Sequence, residues 1–267
     1  MTPSQSAPNR YDAIDALRGV AIVWMTVFHF CFDLNHFGWI QQQMLTDPVW
    51  TVQRSFIVSL FLFCAGLGQS VALERGVPGQ KFSRGFWRRW VQVAGAALLV
   101  SAGSWWMFGR GYIYFGVLHG IAVMLILLRC LSGAGRWLWP LGLLLIAISW
   151  IAYIAHGYSR EFDFLHAKAF NWLGLIRVKP FTQDYVPVLP WLGVMCWGMA
   201  AGQWVIANRP AWLARPLLGT KPGALPAVVS RWLAGLGRWS LSYYLLHQPV
   251  LMGLMTAVGW WLTRSSL

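Results

Sequence analysis

Ser55–Leu73 reads SFIVSLFLFCAGLGQSVAL and carries no Asp, Glu, Lys or Arg. A helix rising about 1.5 Å per residue needs about 20 such residues to cross a hydrocarbon core of about 30 Å. The same signature recurs at Val91–Gly109, Gly111–Leu128, Trp137–Ser159, Tyr185–Asn208 and Trp239–Thr263. Ala13–Phe37 is a seventh apolar stretch, interrupted by Arg18, His29 and Asp33. Hydrophobic residues make up 57% of the 267-residue chain and charged residues 11%, against roughly 25% charged in soluble domains. A soluble fold of this length has too little interior for so much apolar surface. The expected fold is therefore all-α, a polytopic transmembrane helix bundle of about seven spanning helices, with residues 1–267 forming one integral-membrane domain. Trp and Tyr gather towards the ends of the runs, as at Trp105, Trp106, Tyr112, Trp137 and Trp260, where an interfacial aromatic belt places them.

The net charge of +13 would point to nucleic acid in a soluble protein. Here the positive residues sort by loop, and no nucleic-acid partner is expected. Arg75, Lys81, Arg84, Arg88 and Arg89 fall between the second and third runs, and Arg129 and Arg136 between the fourth and fifth. Arg209, Arg215, Lys221, Arg231 and Arg238 precede the last run. The intervening loops hold Asp33, Asp47, Glu161, Asp163 and Asp184. The positive-inside rule then puts the N-terminus in the cytoplasm and the C-terminus outside, as an odd number of crossings requires. Met1–Tyr11 is short and polar, so the first helix is expected to be an uncleaved membrane anchor. Residues 209–238 contain Pro210, Pro216, Pro222 and Pro226, which predicts an irregular loop or a short interfacial helix. The outer stretch Phe164–Ile176 is amphipathic enough to lie on the membrane. Cys31, Cys64, Cys130 and Cys196 stand singly in different runs, with no spacing for a metal site or redox pair.

Ionisable groups inside a spanning helix cost roughly 2.5–3.5 kcal/mol each on insertion scales, so they are functional candidates by default. The first helix concentrates them at Asp12, Asp15, Arg18, His29 and Asp33. Arg18 and His29 share a helix face and lie about 16 Å apart along the axis. Asp33 follows His29 by one turn, a spacing at which a carboxylate can orient an imidazole and make it more basic. The plainer readings are a snorkelling Arg18, a structural interhelical bond for His29 and an interfacial Asp33. His119 and His247 each sit eight residues into a run, about 12 Å deep, where a structural bond and a catalytic role weigh equally. Arg84, Arg88 and Arg89, interleaved with Phe86, Trp87 and Trp90, suit either lipid headgroups or a polyanionic phosphate ligand.

Ile14-Asp15-Ala16-Leu17-Arg18-Gly19 followed by His29 resembles the first-helix signature of the transmembrane acyltransferases. Leu60–Gly66 resembles their second-helix motif, with Ala65 where serine is usual. Arg84–Arg89 resembles their cytoplasmic arginine motif, and Leu236–His247 resembles their terminal GxxSLxxYLLH. Tyr114–His119 and Asp184–Trp191 are similar to motifs of the bacterial branch related to the heparan-α-glucosaminide N-acetyltransferase catalytic domain. The resemblance runs from Tyr11 to Val250. His29 is carried over from the wider superfamily only; no counterpart of the lysosomal enzyme's luminal histidine is read here.

The resemblance implies acyl-CoA, chiefly acetyl-CoA, as co-substrate and a sugar amine or hydroxyl as acceptor. No permanently bound cofactor and no metal are expected. Phosphates of the donor fall to Arg18, Arg88 and Arg89, and His29, oriented by Asp33, would deprotonate the acceptor for direct attack on the thioester. An acyl-imidazole on His29 is a second route. His119, His247 and Asp184 are assigned to the acceptor or oxyanion side. Membrane lipids and a second copy of the chain complete the partners considered. The competing function classes are a transporter or flippase for a small molecule or lipid-linked sugar, and a non-catalytic partner in envelope-polymer synthesis.

Overall fold

The computed structural model describes residues 11–218 and 224–265. Lys221 and Pro222, assigned above to the loop 209–238, lie outside the described residues. The described chain is helical throughout: α1 Asp12–His36, α2 Pro48–Glu74, α3 Arg84–Phe108, α4 Val117–Leu131, α5 Leu138–Ala155, α6 Val188–Asn208, the one-turn α7 Ala211–Ala214, α8 Leu225–Arg238 and α9 Ser240–Ser265. Four stretches are long and apolar enough to cross a membrane: Asp12–His36, Pro48–Glu74, Arg84–Gly111 and Val117–Ala155. The last comprises α4 and α5, joined by a 3-10 turn in which Gly135 takes φ 53°, a left-handed conformation open to glycine. At 21 and 26 residues, α6 and α9 have the length of a crossing, but Trp, Gly and polar side chains dilute their apolarity. Of the expected seven crossings, those that meet that standard lie in these four stretches.

The chain divides into two compact units, one of residues 1–61 and 209–267 and the other of residues 62–208. In the first, α8 packs antiparallel along the opening turns of α1. A Cβ on Gly19 would lie 2.0 Å from the Leu233 carbonyl oxygen, and one on Gly237 would lie 1.8 Å from that of Asp15. Hydrogen alone fits at both positions, so the two backbones touch. Residues 225–238, expected to be irregular or interfacial, are thus an ordered helix with one face buried on α1. Beside this contact Arg238 pairs with Asp12 at 2.7 Å, and Asp15 accepts from Arg18 at 3.1 Å.

By contrast α9 runs parallel to α1. Tyr243 meets Thr26, His247 meets His29 and Gln248 meets Asp33 in ascending order. First and last helices pointing the same way are what an odd number of crossings requires. Pro249 sits inside α9, where it removes a backbone donor and leaves a carbonyl one turn earlier without its usual partner.

In the second unit the ends of the helices pair as alternating loops should. At one end Lys81 donates to the Cys130 carbonyl and Arg129 to the Lys81 carbonyl, which joins two loops assigned above to one side. At the other end residues 112–116 run extended against 182–186: Val186 donates to the Phe115 carbonyl and Thr182 to that of Tyr112. That pairing delays α4 to Val117, so His119 lies in the first helical turn rather than eight residues deep. Arg129, read as a loop residue, belongs to the last turn of α4. Phe164–Ile176 forms two 3-10 turns, Asp163–His166 and Asn171–Leu173, rather than an amphipathic α-helix.

Orientation has a direct check. In a cysteine-free background, cysteines replacing Gln80 and Gly133 should react with an impermeant maleimide only from the cytoplasm. Cysteines at Thr46 and Thr263 should react only from outside. The opposite pattern inverts the assigned sidedness.

Candidate functional site

The first unit brings together three of the residues singled out in the sequence. His29 Nδ1 lies 2.8 Å from His247 Nε2, with ring centroids 5.0 Å apart. His247 Nδ1 lies 2.8 Å from the Tyr244 carbonyl oxygen and 3.2 Å from that of Tyr243. Carbonyl oxygens only accept, so His247 Nδ1 carries a proton. A neutral His247 then has a bare Nε2, which accepts from His29 Nδ1–H. A neutral His29 in turn has a bare Nε2. The chain of donors therefore fixes both tautomers and leaves one basic nitrogen, on His29, at its end.

Surrounding side chains hold this pair. Thr26 donates to the Ile22 carbonyl at 2.8 Å, so its oxygen accepts from the Tyr243 hydroxyl at 2.9 Å. That bond fixes the Tyr243 ring, which stacks on His247 at a centroid separation of 5.8 Å and an angle of 12°. Met25, Phe28, Met44 and Ile57 form a buried cluster alongside, with Trp50, Tyr243 and Tyr244 packed on it. His247 is buried and His29 is partly exposed.

Asp33 does not bond His29. Its Oδ1 accepts from Gln248 Nε2 at 2.7 Å, one rung above the histidine pair. Asp33 is 1% exposed, yet its Oδ2 has no hydrogen-bond partner, and neither has Gln248 Oε1. Two buried acceptors without donors make this rung a place for a group that brings N–H or O–H bonds. Between α8 and the first turn of α9, Arg231, Trp232, Gly235, Leu236, Trp239 and Tyr243 line an open, mainly apolar groove of about 410 Å³. Arg18 is held by Asp15.

The other candidates lie in the second unit. Ser101 donates to the Ile113 carbonyl, so His119 Nε2–H donates to Ser101 Oγ at 3.0 Å. His119 Nδ1 accepts from the Gly116 amide at 3.3 Å. Both ring nitrogens are thus engaged, Nδ1 in capping α4 and Nε2 in tying it to α3. Asp184 Oδ2 accepts from the Val117 amide at 2.7 Å, a carboxylate at a helix N-terminus where the dipole favours it. A Cβ on Gly116 would lie 2.4 Å from that oxygen. Nearby, Lys168 stands over the rings of Tyr112 and Tyr114, and Tyr185 donates to the Asn171 carbonyl. Burial holds the Tyr185 and Tyr114 phenols above their ordinary range, so both stay protonated at neutral pH. Arg88 and Arg89 lie exposed on the first turns of α3. Among the described residues no group of three or more metal-ligating side chains occurs.

Sequence reasoning missed Tyr243 and Gln248, which flank His247. The available signal was the polar run Ser242–Gln248 interrupting the terminal apolar stretch, at helical spacing from His247.

Fold and site together define an all-helical membrane protein whose first and last helices share a hydrogen-bonded imidazole pair. The sequence model of the family heparan-alpha-glucosaminide N-acetyltransferase, catalytic, matches residues 10–249, and the chain belongs to that family. It is thus a member of a family of membrane acetyltransferases. No curated protein and no solved structure shows significant similarity to it.

Proposed function

We propose that this protein transfers an acetyl group from acetyl-CoA to an amine or hydroxyl of a sugar-containing acceptor, with His29 as general base. The observation that carries this reading is the fixed tautomer pair, which leaves His29 Nε2 unprotonated. The acceptor's N–H or O–H gives its proton to His29 Nε2 as its lone pair attacks the thioester carbonyl. Collapse of the tetrahedral intermediate expels the CoA thiolate, which recovers that proton from the imidazolium. His247 takes the orienting part first assigned to Asp33. Its Nε2 is hydrogen-bonded to His29 Nδ1–H and so stabilises the imidazolium while it lasts. The open oxygens of Asp33 and Gln248 suit the acceptor's donors, and the groove beside Tyr243 is of a size for an extended thioester arm.

Arg88 and Arg89 are the candidates that the family resemblance supplies for the donor's phosphates, with Arg18 a weaker one because Asp15 already engages it. The oxyanion role considered for His119 would require giving up its Nε2 bond to Ser101, so we assign it and Asp184 to holding the start of α4.

The test follows free thiol released from acetyl-CoA by the purified protein with amino- and hydroxyl-sugars. Acceptor-dependent release is expected; solute flux without release would establish a transporter instead. Asp33→Asn keeps an oxygen for Gln248 but loses the charge. It should raise KM for an amine acceptor about tenfold and change kcat little, whereas a purely structural Asp33 would lower the folded fraction and leave KM unchanged. Arg88→Ala with Arg89→Ala should weaken acetyl-CoA binding by roughly 1.5 kcal/mol per charge-assisted bond, the low end for exposed groups. Unaltered affinity in the folded double variant reduces the cluster to a topology signal.

A further inference from the structure

Arg129 is 3% exposed, and a guanidinium does not give up its charge on burial. Its Nε donates to Gln69 Oε1 and its Nη1 to the Lys81 carbonyl at 3.0 Å. Its Cζ sits 4.9 Å above the Phe86 ring. These partners are neutral. Among the described residues no carboxylate reaches Arg129. A second cation closes on the same place, since Lys81 Nζ donates to the Cys130 carbonyl at 3.1 Å and lies 3.9 Å from where a Gly133 Cβ would stand.

The C-terminal dipole of α4 offsets part of this charge, and the bonds to Gln69 and Lys81 also clamp α2 and the following loop to α4. The clamp, however, uses only two of the five guanidinium N–H bonds, and the helix-end carbonyls are already occupied. Cys130 takes Lys81, Arg129 takes Ser132 Oγ and Ser132 takes Gln203. Two cations at one end of α4, each with spare donors, form a set that a phosphate oxygen cluster completes.

We propose that Arg129 and Lys81 form a binding site for a phosphate group, carried either by the diphosphate of CoA or by the headgroup of an acidic lipid. The first source rests on the acetyltransferase reading and the second does not. In detergent, CoA should raise the Tm of the full-length protein saturably, and pantetheine, which lacks the diphosphate, should not. In nanodiscs without CoA, phosphatidylglycerol should raise the Tm relative to phosphatidylcholine alone if the lipid is the source. Arg129→Gln and Lys81→Gln should each weaken whichever response is seen by about tenfold. Lys81→Gln keeps the backbone carbonyl that Arg129 uses, so it decides the matter should Arg129→Gln fail to fold. A response in neither arm, or one undiminished in folded Lys81→Gln, overturns the proposal. His29-dependent thiol release that persists alongside such a result would leave the acetyltransferase reading standing by itself.

Discussion

His29→Gln is expected to fold normally and to turn over about 10²–10⁴-fold more slowly than the unaltered protein. The glutamine amide can still donate to His247 Nε2, so the contact between α1 and α9 survives. What it cannot do is accept the acceptor's proton. His29→Ala should be as inactive and also less stable, because it leaves buried His247 Nε2 without its donor, at about 1–3 kcal/mol. Binding of acetyl-CoA should remain near normal in His29→Gln, since no substrate phosphate is assigned to that residue. Thiol release measured alongside a thermal melt separates the two losses. Near-normal turnover in a folded His29→Gln protein would remove the general-base assignment. His247→Gln completes the series: an amide oxygen still accepts from His29 Nδ1, so a smaller loss of about 10–10² is expected.

Gly237→Leu carries the largest expected effect on stability. The first atom added at this position would lie 1.8 Å from the Asp15 carbonyl oxygen and 3.0 Å from the Gly19 amide nitrogen. Backbone stands on the far side of the contact, so no side-chain adjustment relieves it, and α8 must move off α1. The expected cost is about 3 kcal/mol, the upper end for overpacking. It also draws Arg238 away from Asp12 and Asp15. Gly235→Leu on the same helix is the control, because a Cβ there meets nothing within 4 Å. Equal melting temperatures for the two variants would show that α1 and α8 are not in backbone contact.

The sequence by itself determined that the chain is helical and membrane-embedded, because apolar length and the scarcity of charge are properties of each segment alone. It also identified His29 and His247 as anomalous, since an imidazole in an apolar run is costly wherever that run packs. The family resemblance was legible for the same reason: its motifs are contiguous. The Gly19 and Gly237 motifs then proved to be two halves of one helix contact, and Tyr114–His119 and Asp184–Trp191 two halves of one cap on α4.

Only the tertiary structure decided which groups meet. Asp33 follows His29 by one turn, and spacing along α1 made it the natural partner. Gln248 claims its Oδ1 and His247 claims His29 Nδ1, because α9 lies parallel to α1 in that register. His119 looked deep until residues 112–116 paired with 182–186 and shortened α4 to begin at Val117. Arg129 looked like a loop charge until the bonds to Gln69 and Lys81 buried it. Spacing within one helix is fixed by 3.6 residues per turn, so intrahelical neighbours can be read from a sequence. Which side chain of another helix arrives at a given rung depends on packing across hundreds of residues, and no local pattern encodes it.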